Sequence, residues 1–166
     1  MAEKRDIEQS DVQAIIDVFV EDKNFAPRCR KVGELLKDRL YDISSYYWDY
    51  WISMGKFPEM QDPENVEKAR IKTAAFIGKR LNDIEGTEWS KFLTRQIMDS
   101  CQRGIPPKNV NAASIRTNAF TLKLLGEVYG VEQEDYQDLA AAVLTATGLE
   151  LSIMAMCHTA YHANQN

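Results

Sequence analysis

TEWSKFLTRQIMDSCQRGIPP, residues 87–107, is the stretch whose reading decides the fold. Thr87 stands where a side-chain oxygen can cap the orphan N–H groups of a helix, and Glu88 suits the positive end of its first turn. Trp89, Leu93, Gln96, Ile97, Ser100 and Cys101 recur at helical spacing. Gly104 and the Pro106-Pro107 pair then end that helix, and Pro107 is placed to open the next one. The segment therefore predicts two consecutive helices joined by a tight Arg-Gly-Ile-Pro corner.

Working outward, strand-like alternation is nearly absent, so the expected class is all-α. Toward the N-terminus, Ser10 with Gln13 predicts a capping box for a short helix through Val12, Ile15, Ile16 and Phe19. A second helix is expected from Pro27 to Met54 without a break, ending at Gly55 and Pro58. Asp62-Pro63 is a cap-plus-proline start for a third, carrying Val66, Ala69, Thr73, Phe76, Ile77, Leu81 and Ile84. After residue 107 a fifth helix runs through Val110, Ile115, Phe120, Leu124 and Leu125 to Gly130. The sixth begins near residues 132–134 and reaches Ala163. That is roughly thirty residues, about 45 Å at about 1.5 Å per residue.

With 166 residues, 45% hydrophobic and 27% charged, the chain is expected to form a single domain over 1–166 with a substantial core. A net charge of −5 gives no electrostatic reason to expect nucleic acid as a partner. No apolar run is read as membrane-spanning and MAEKRDIEQS is no signal peptide, so a cytoplasmic location is expected. The three cysteines, Cys29, Cys101 and Cys157, have unrelated spacings and suggest buried free thiols rather than a disulfide framework or a zinc site.

The corner after residue 100 resembles the sensor globins, the heme-binding domains of bacterial globin-coupled sensors. In that family the proximal helix carries the iron-binding histidine shortly before a Gly-Ile-Pro-like turn. Laying Gly104-Ile105-Pro106 on that turn puts Ser100 at the histidine position. The resemblance covers roughly residues 30–163 and implies a globin-like fold of about six helices. It also implies a distal tyrosine five and six residues before an aromatic pair, which here is Tyr41 before Tyr46-Tyr47. The pocket so implied is bounded by Tyr41, Tyr47, Phe76, Ile77, Leu93, Ile97, Ser100 and Cys101. For Tyr41 the plain alternative is a core-edge tyrosine with its hydroxyl in water.

Serine cannot replace imidazole at heme iron. The two histidines, His158 and His162, lie at the end of the last helix, where no realignment brings them onto residues 87–103. Cys101 as a thiolate ligand is a minor alternative, since it points about 100° away from Ser100 around the helix. His158 and His162 share a helix face at metal-ligand spacing, but imidazoles near a helix C-terminus are also favoured by the macrodipole. The aromatic run Tyr46–Trp51 can line a flat ligand or simply fill the core, with Trp48 and Asp49 expected to point outward.

The family resemblance further implies a homodimer through the last two helices and a signalling output domain or partner. Ala140–Ala142 and Ala146–Gly148 give the last helix a small-residue belt, and Leu144, Leu151 and Met154 suggest a second apolar face. Three functions follow. The first is a sensory or regulatory domain in bacterial signal transduction that binds a hydrophobic small molecule, or an atypically ligated heme, and relays its state through the dimer. The second is a heme-based gas sensor with an unusual axial ligand, and the third a ligand-free dimerisation module. No catalytic set is visible, so no enzymatic activity is expected, and no metal site is assigned.

Overall fold

The computed structural model describes residues 7–165. Among these, the chain is all-α: α1 Gln9–Val20, α2 Phe25–Leu36, α3 Leu40–Ser53, α4 Pro63–Asn82, α5 Glu88–Gln102, α6 Pro107–Tyr129 and α7 Tyr136–Ala163, with 3-10 turns at Lys37–Arg39 and Pro58–Gln61.

The helix expected from Pro27 to Met54 is two helices. Leu36 (ψ 7°) and Arg39 (φ −115°, ψ 2°) leave the α region, and one 3-10 turn separates α2 from α3. The break has a packing cause. It lets α2 lie against α4 and α7 while α3 turns onto α4 and α6, two directions a straight rod could not serve. Leu40, the first residue of α3, reaches over Gly78 of α4, where a Cβ would sit 2.9 Å from its Cδ1.

Helix ends differ from expectation in their chemistry more than in their position. Asp62 caps α4 as expected, accepting the Glu64 N–H at 2.9 Å. Thr87 makes no side-chain cap; its carbonyl instead accepts from Ser90 Oγ at 2.8 Å and Lys91 N at 3.1 Å. Glu8, not Ser10, is the N-cap of α1, with the Asp11 carboxylate accepting the Glu8 N–H at 3.4 Å. At the α5 stop, Gly104 takes φ +66°, and Ile105 N–H returns to Ser100 O at 3.0 Å. Only a residue that tolerates the left-handed region allows that return, which is why the corner falls where the sequence places it.

Two apolar clusters fill the domain. One gathers Val32, Leu36, Ile43, Ile77, Leu81, Leu124, Leu125, Leu139 and Val143 where α2, α3, α4, α6 and α7 meet. The other centres on Trp51, Trp89, Ile97, Leu149 and Ile153, with α1 and α5 closing over it. Trp48, expected to face outward, is buried in this second cluster and donates its Nε1–H to Thr73 Oγ1 at 2.9 Å. Because α3 is covered by α4 on one flank and by Phe57 on another, its buried arc is wider than one stripe. Asp49 does face solvent, in an ion pair with Arg70 at 2.6 Å.

α7 runs through the core and is the one described helix long and apolar enough to cross a bilayer by length and composition, with a mean hydropathy of 1.7. This corrects the expectation that no run reaches that length. Half of that window is buried inside the domain, where its apolar side chains pack the core.

A polar knot beside a small cavity

The side chains that converge on one another come from α3, α4, α5, α6 and α7, and they leave a cavity of about 60 Å³ between them. That is room for a few water-sized groups. Its apolar lining includes Ile43, Phe76, Ile77, Leu93, Ile97 and Met154. Polar side chains line it too, some of them one turn away on the same helices.

Arg80 of α4 and Glu150 of α7 form an ion pair there, each about 95% buried. Glu150 Oε2 accepts from Ser114 Oγ at 2.7 Å and from Asn118 Nδ2 at 3.1 Å, both from α6. Asn118 Oδ1 in turn accepts from Arg80 Nη2 at 3.2 Å, so four side chains tie three helices into one knot. The sequence puts them in register simply: Ser114 and Asn118 are one helical turn apart, and Glu150 faces them across the α6–α7 contact. Both Glu150 oxygens are engaged, but Arg80 Nε is buried with no acceptor.

Of the residues expected around a pocket, Tyr47, Phe76, Ile77, Leu93, Ile97 and Ser100 line this cavity, while Tyr41 and Cys101 do not. Tyr41 is 40% exposed, and its hydroxyl donates to Glu67 Oε2 at 2.5 Å. Six positions along a helix correspond to a rotation of about 120° from Tyr47, so the two tyrosines cannot share the cavity face. Tyr47 is the one that turns inward, and burial pushes its phenol up to about 12, with Glu150's charge adding to the effect. It therefore stays a protonated donor.

Ser100 borders the cavity, but its Oγ donates to Gln96 O within its own helix at 2.9 Å. Cys101 turns the other way, with Sγ 3.1 Å from His158 Nδ1. Burial raises the thiol and, together with the neighbouring His162, lowers the imidazole. Both shifts favour neutral forms, a thiol beside an uncharged ring, rather than an activated thiolate–imidazolium pair. His158 is thus a core residue and not the surface imidazolium expected from its place near the helix end. Cys29 and Cys157 are buried too, pushed up to about 12 and about 11 by loss of solvent.

These residues do not fit an iron porphyrin. No histidine lines the cavity, Ser100 and Cys101 are committed elsewhere, Tyr41 is on the surface, and the volume is far short of a tetrapyrrole. Among the described residues no group of three or more His, Cys, Asp or Glu is placed to hold a metal ion.

A scan of known protein families, of curated proteins and of solved structures returns no match to this chain. The site therefore has to be judged on its own chemistry. Reading the sequence missed Arg80, Glu150, Asn118 and Ser114. One signal was present: Glu150 is the only charged residue from Leu139 to Cys157, and a lone carboxylate in so apolar a helix needs a buried partner. Arg80 gives no comparable signal, because with Lys79 it falls in the last turn of α4, where basic side chains are ordinarily favoured.

The expected second apolar face of α7 is also revised. Met154 points into the core and lines the cavity, while Leu144 is 59% exposed and Leu151 half-buried. Gly148 of the small-residue belt meets Phe19 of α1, with a Cβ there 3.4 Å from the ring, so part of the belt is used within the chain. What remains outside is Ala141, Leu144, Leu151, Ala155 and Thr159, an uncharged face.

Proposed function

We propose that this chain is a sensory or regulatory domain of globin-like fold, which binds a small ligand in the α3–α7 cavity and relays its state through α7 to a second copy. The observation that carries the proposal is the position of Glu150. It belongs to the cavity wall, yet it lies on the helix whose outer face, Ala141 to Thr159, is uncharged. A change at the cavity thus acts directly on the helix best suited to meet a partner.

The size of the cavity favours a small molecule over a long acyl chain, and the lack of an available axial ligand disfavours heme. A purely structural dimerisation module has less in its favour, because a domain needing only a surface has no use for a buried ion pair beside a void.

Sedimentation equilibrium tests the relay surface. The wild-type chain is expected to be dimeric at micromolar concentration, and Leu144→Glu with Leu151→Glu to be monomeric and still helical. A wild-type chain that remains monomeric throughout that range would overturn the dimer part of the proposal.

A further inference from the structure

We propose that the groove between α1 and the end of α7 is a docking site for a basic amphipathic helix of a partner protein. The groove has a volume of about 460 Å³ and shares no lining residue with the cavity beside Arg80 and Glu150. α1 supplies Asp11, Ala14 and Ile15, and α7 supplies Met156, Ala160 and Ala163. All six are exposed or half-buried. The two helices run antiparallel here, since Phe19 meets Gly148 while Asp11 and Ile15 share the groove with residues 156–163. Two antiparallel helices with an apolar trough between them offer a third helix a row to pack into. Among the described residues there is no strand whose edge could take an extended peptide instead.

The sequence of α1 decides what kind of helix fits. Asp11, Ala14, Ile15 and Val18 are spaced i, i+3, i+4 and i+7 and fall within about 100° of the helix circumference. Val18 carries the strip past the groove and is 65% exposed. Phe19, toward α7, and Asp17, on the far side, stand about 100° to either side of Val18. From Ile7 to Asp22 the chain has five acids and no base. Of these only Asp22 has a cationic partner among the described residues, Arg28 at 3.9 Å. Glu8, Asp11 and Asp17 take their hydrogen bonds from neutral donors. The α7 side of the groove brings no charge. An apolar trough with an unneutralised acidic rim attracts an apolar helix face flanked by Lys or Arg. A second copy is a poor occupant, because two α1 strips meeting about a two-fold axis would set Asp11 and Asp17 against their own kind.

The test uses two fluorescein-labelled peptides of about eighteen residues with leucine at i, i+3, i+4 and i+7 along one face. One carries lysine at the remaining positions and the other glutamate. Titrated with the full chain at neutral pH and near-physiological salt, and read by fluorescence anisotropy, the lysine peptide is expected to saturate at one per chain. The glutamate peptide is expected to bind at least about tenfold more weakly. Ala14→Lys puts a cation into the trough at an exposed position and is expected to weaken the lysine peptide at least about tenfold. Ile71→Lys, at an exposed position of α4, changes the net charge equally and is expected to leave binding within about twofold. No saturable binding of the lysine peptide, or equal binding of both peptides, would overturn the proposal. Equal losses in Ala14→Lys and Ile71→Lys would also overturn it, by showing attraction to net charge alone. So would loss of self-association in Ala14→Lys by sedimentation equilibrium, since a second copy would then fill the groove.

Discussion

The same three helices, α4, α6 and α7, build two adjoining parts of the interior by opposite means. Around Leu81, Leu124, Leu125, Leu139 and Val143 the packing is wholly apolar, with each of these side chains at most 1% exposed. Along the same helices, Arg80, Ser114, Asn118 and Glu150 replace apolar contact with a charged, hydrogen-bonded knot bordering a void. Apolar packing needs nothing but volume and shape. A buried ion pair needs complete pairing to break even, and here Arg80 Nε has no acceptor. The difference teaches that the apolar region accounts for folding, whereas the knot fits the ligand-binding role proposed above.

The sharpest way to strain that contrast is to remove half of the ion pair. Arg80→Ala or Glu150→Ala leaves an uncompensated buried charge and is expected to cost about 3–5 kcal/mol, measured by denaturant unfolding. Leu125→Ala, in the apolar region, loses transfer energy and leaves a cavity, for an expected cost of about 3 kcal/mol. The two losses are similar in size but different in kind. The first is recoverable by also removing the partner, and the second only by refilling the volume.

A smaller effect comes from His158. Its pKa is depressed in the folded chain, so at mildly acidic pH the unfolded state binds the proton that the folded state refuses. Stability is therefore expected to fall as pH drops below about 6.5, the ordinary imidazole value, toward the depressed folded value. His158→Gln should flatten that part of the pH profile, read as the unfolding midpoint between pH 7 and pH 5.5. An unchanged slope would mean that the ring takes up its proton as readily in the folded state as in the unfolded one. The smallest expected effect is chemical: Cys29, Cys101 and Cys157 should remain silent to a thiol reagent at mildly alkaline pH until the chain unfolds, since burial raises all three.

How far the sequence could be read follows the same division. Periodicity located α4, α5 and α6 and the Gly104 corner, because local backbone chemistry alone dictates those features. It joined α2 to α3, because the break at Lys37–Arg39 carries neither glycine nor proline and answers to the directions of neighbouring helices. The apolar cavity lining, Phe76, Ile77, Leu93 and Ile97, falls on faces that helical spacing identifies. The polar lining does not, since Arg80, Asn118 and Glu150 lie 38, 32 and 70 residues from one another and only the fold brings them together. Tyr41 was misplaced for a related reason: a matching spacing says nothing about the rotation at which the helix is set down.

The central claim is that the knot is kept for its cavity and not for the stability of the fold. Arg80→Met combined with Glu150→Leu tests it most directly, because the two changes remove the charges together and conserve much of the volume. The account predicts unfolding within about 1 kcal/mol of wild type, or more stable, since well-packed apolar replacements of a buried pair are often neutral or stabilising. A double variant as unstable as Arg80→Ala alone would contradict the claim, showing that the ion pair holds the helices together and that the cavity is incidental.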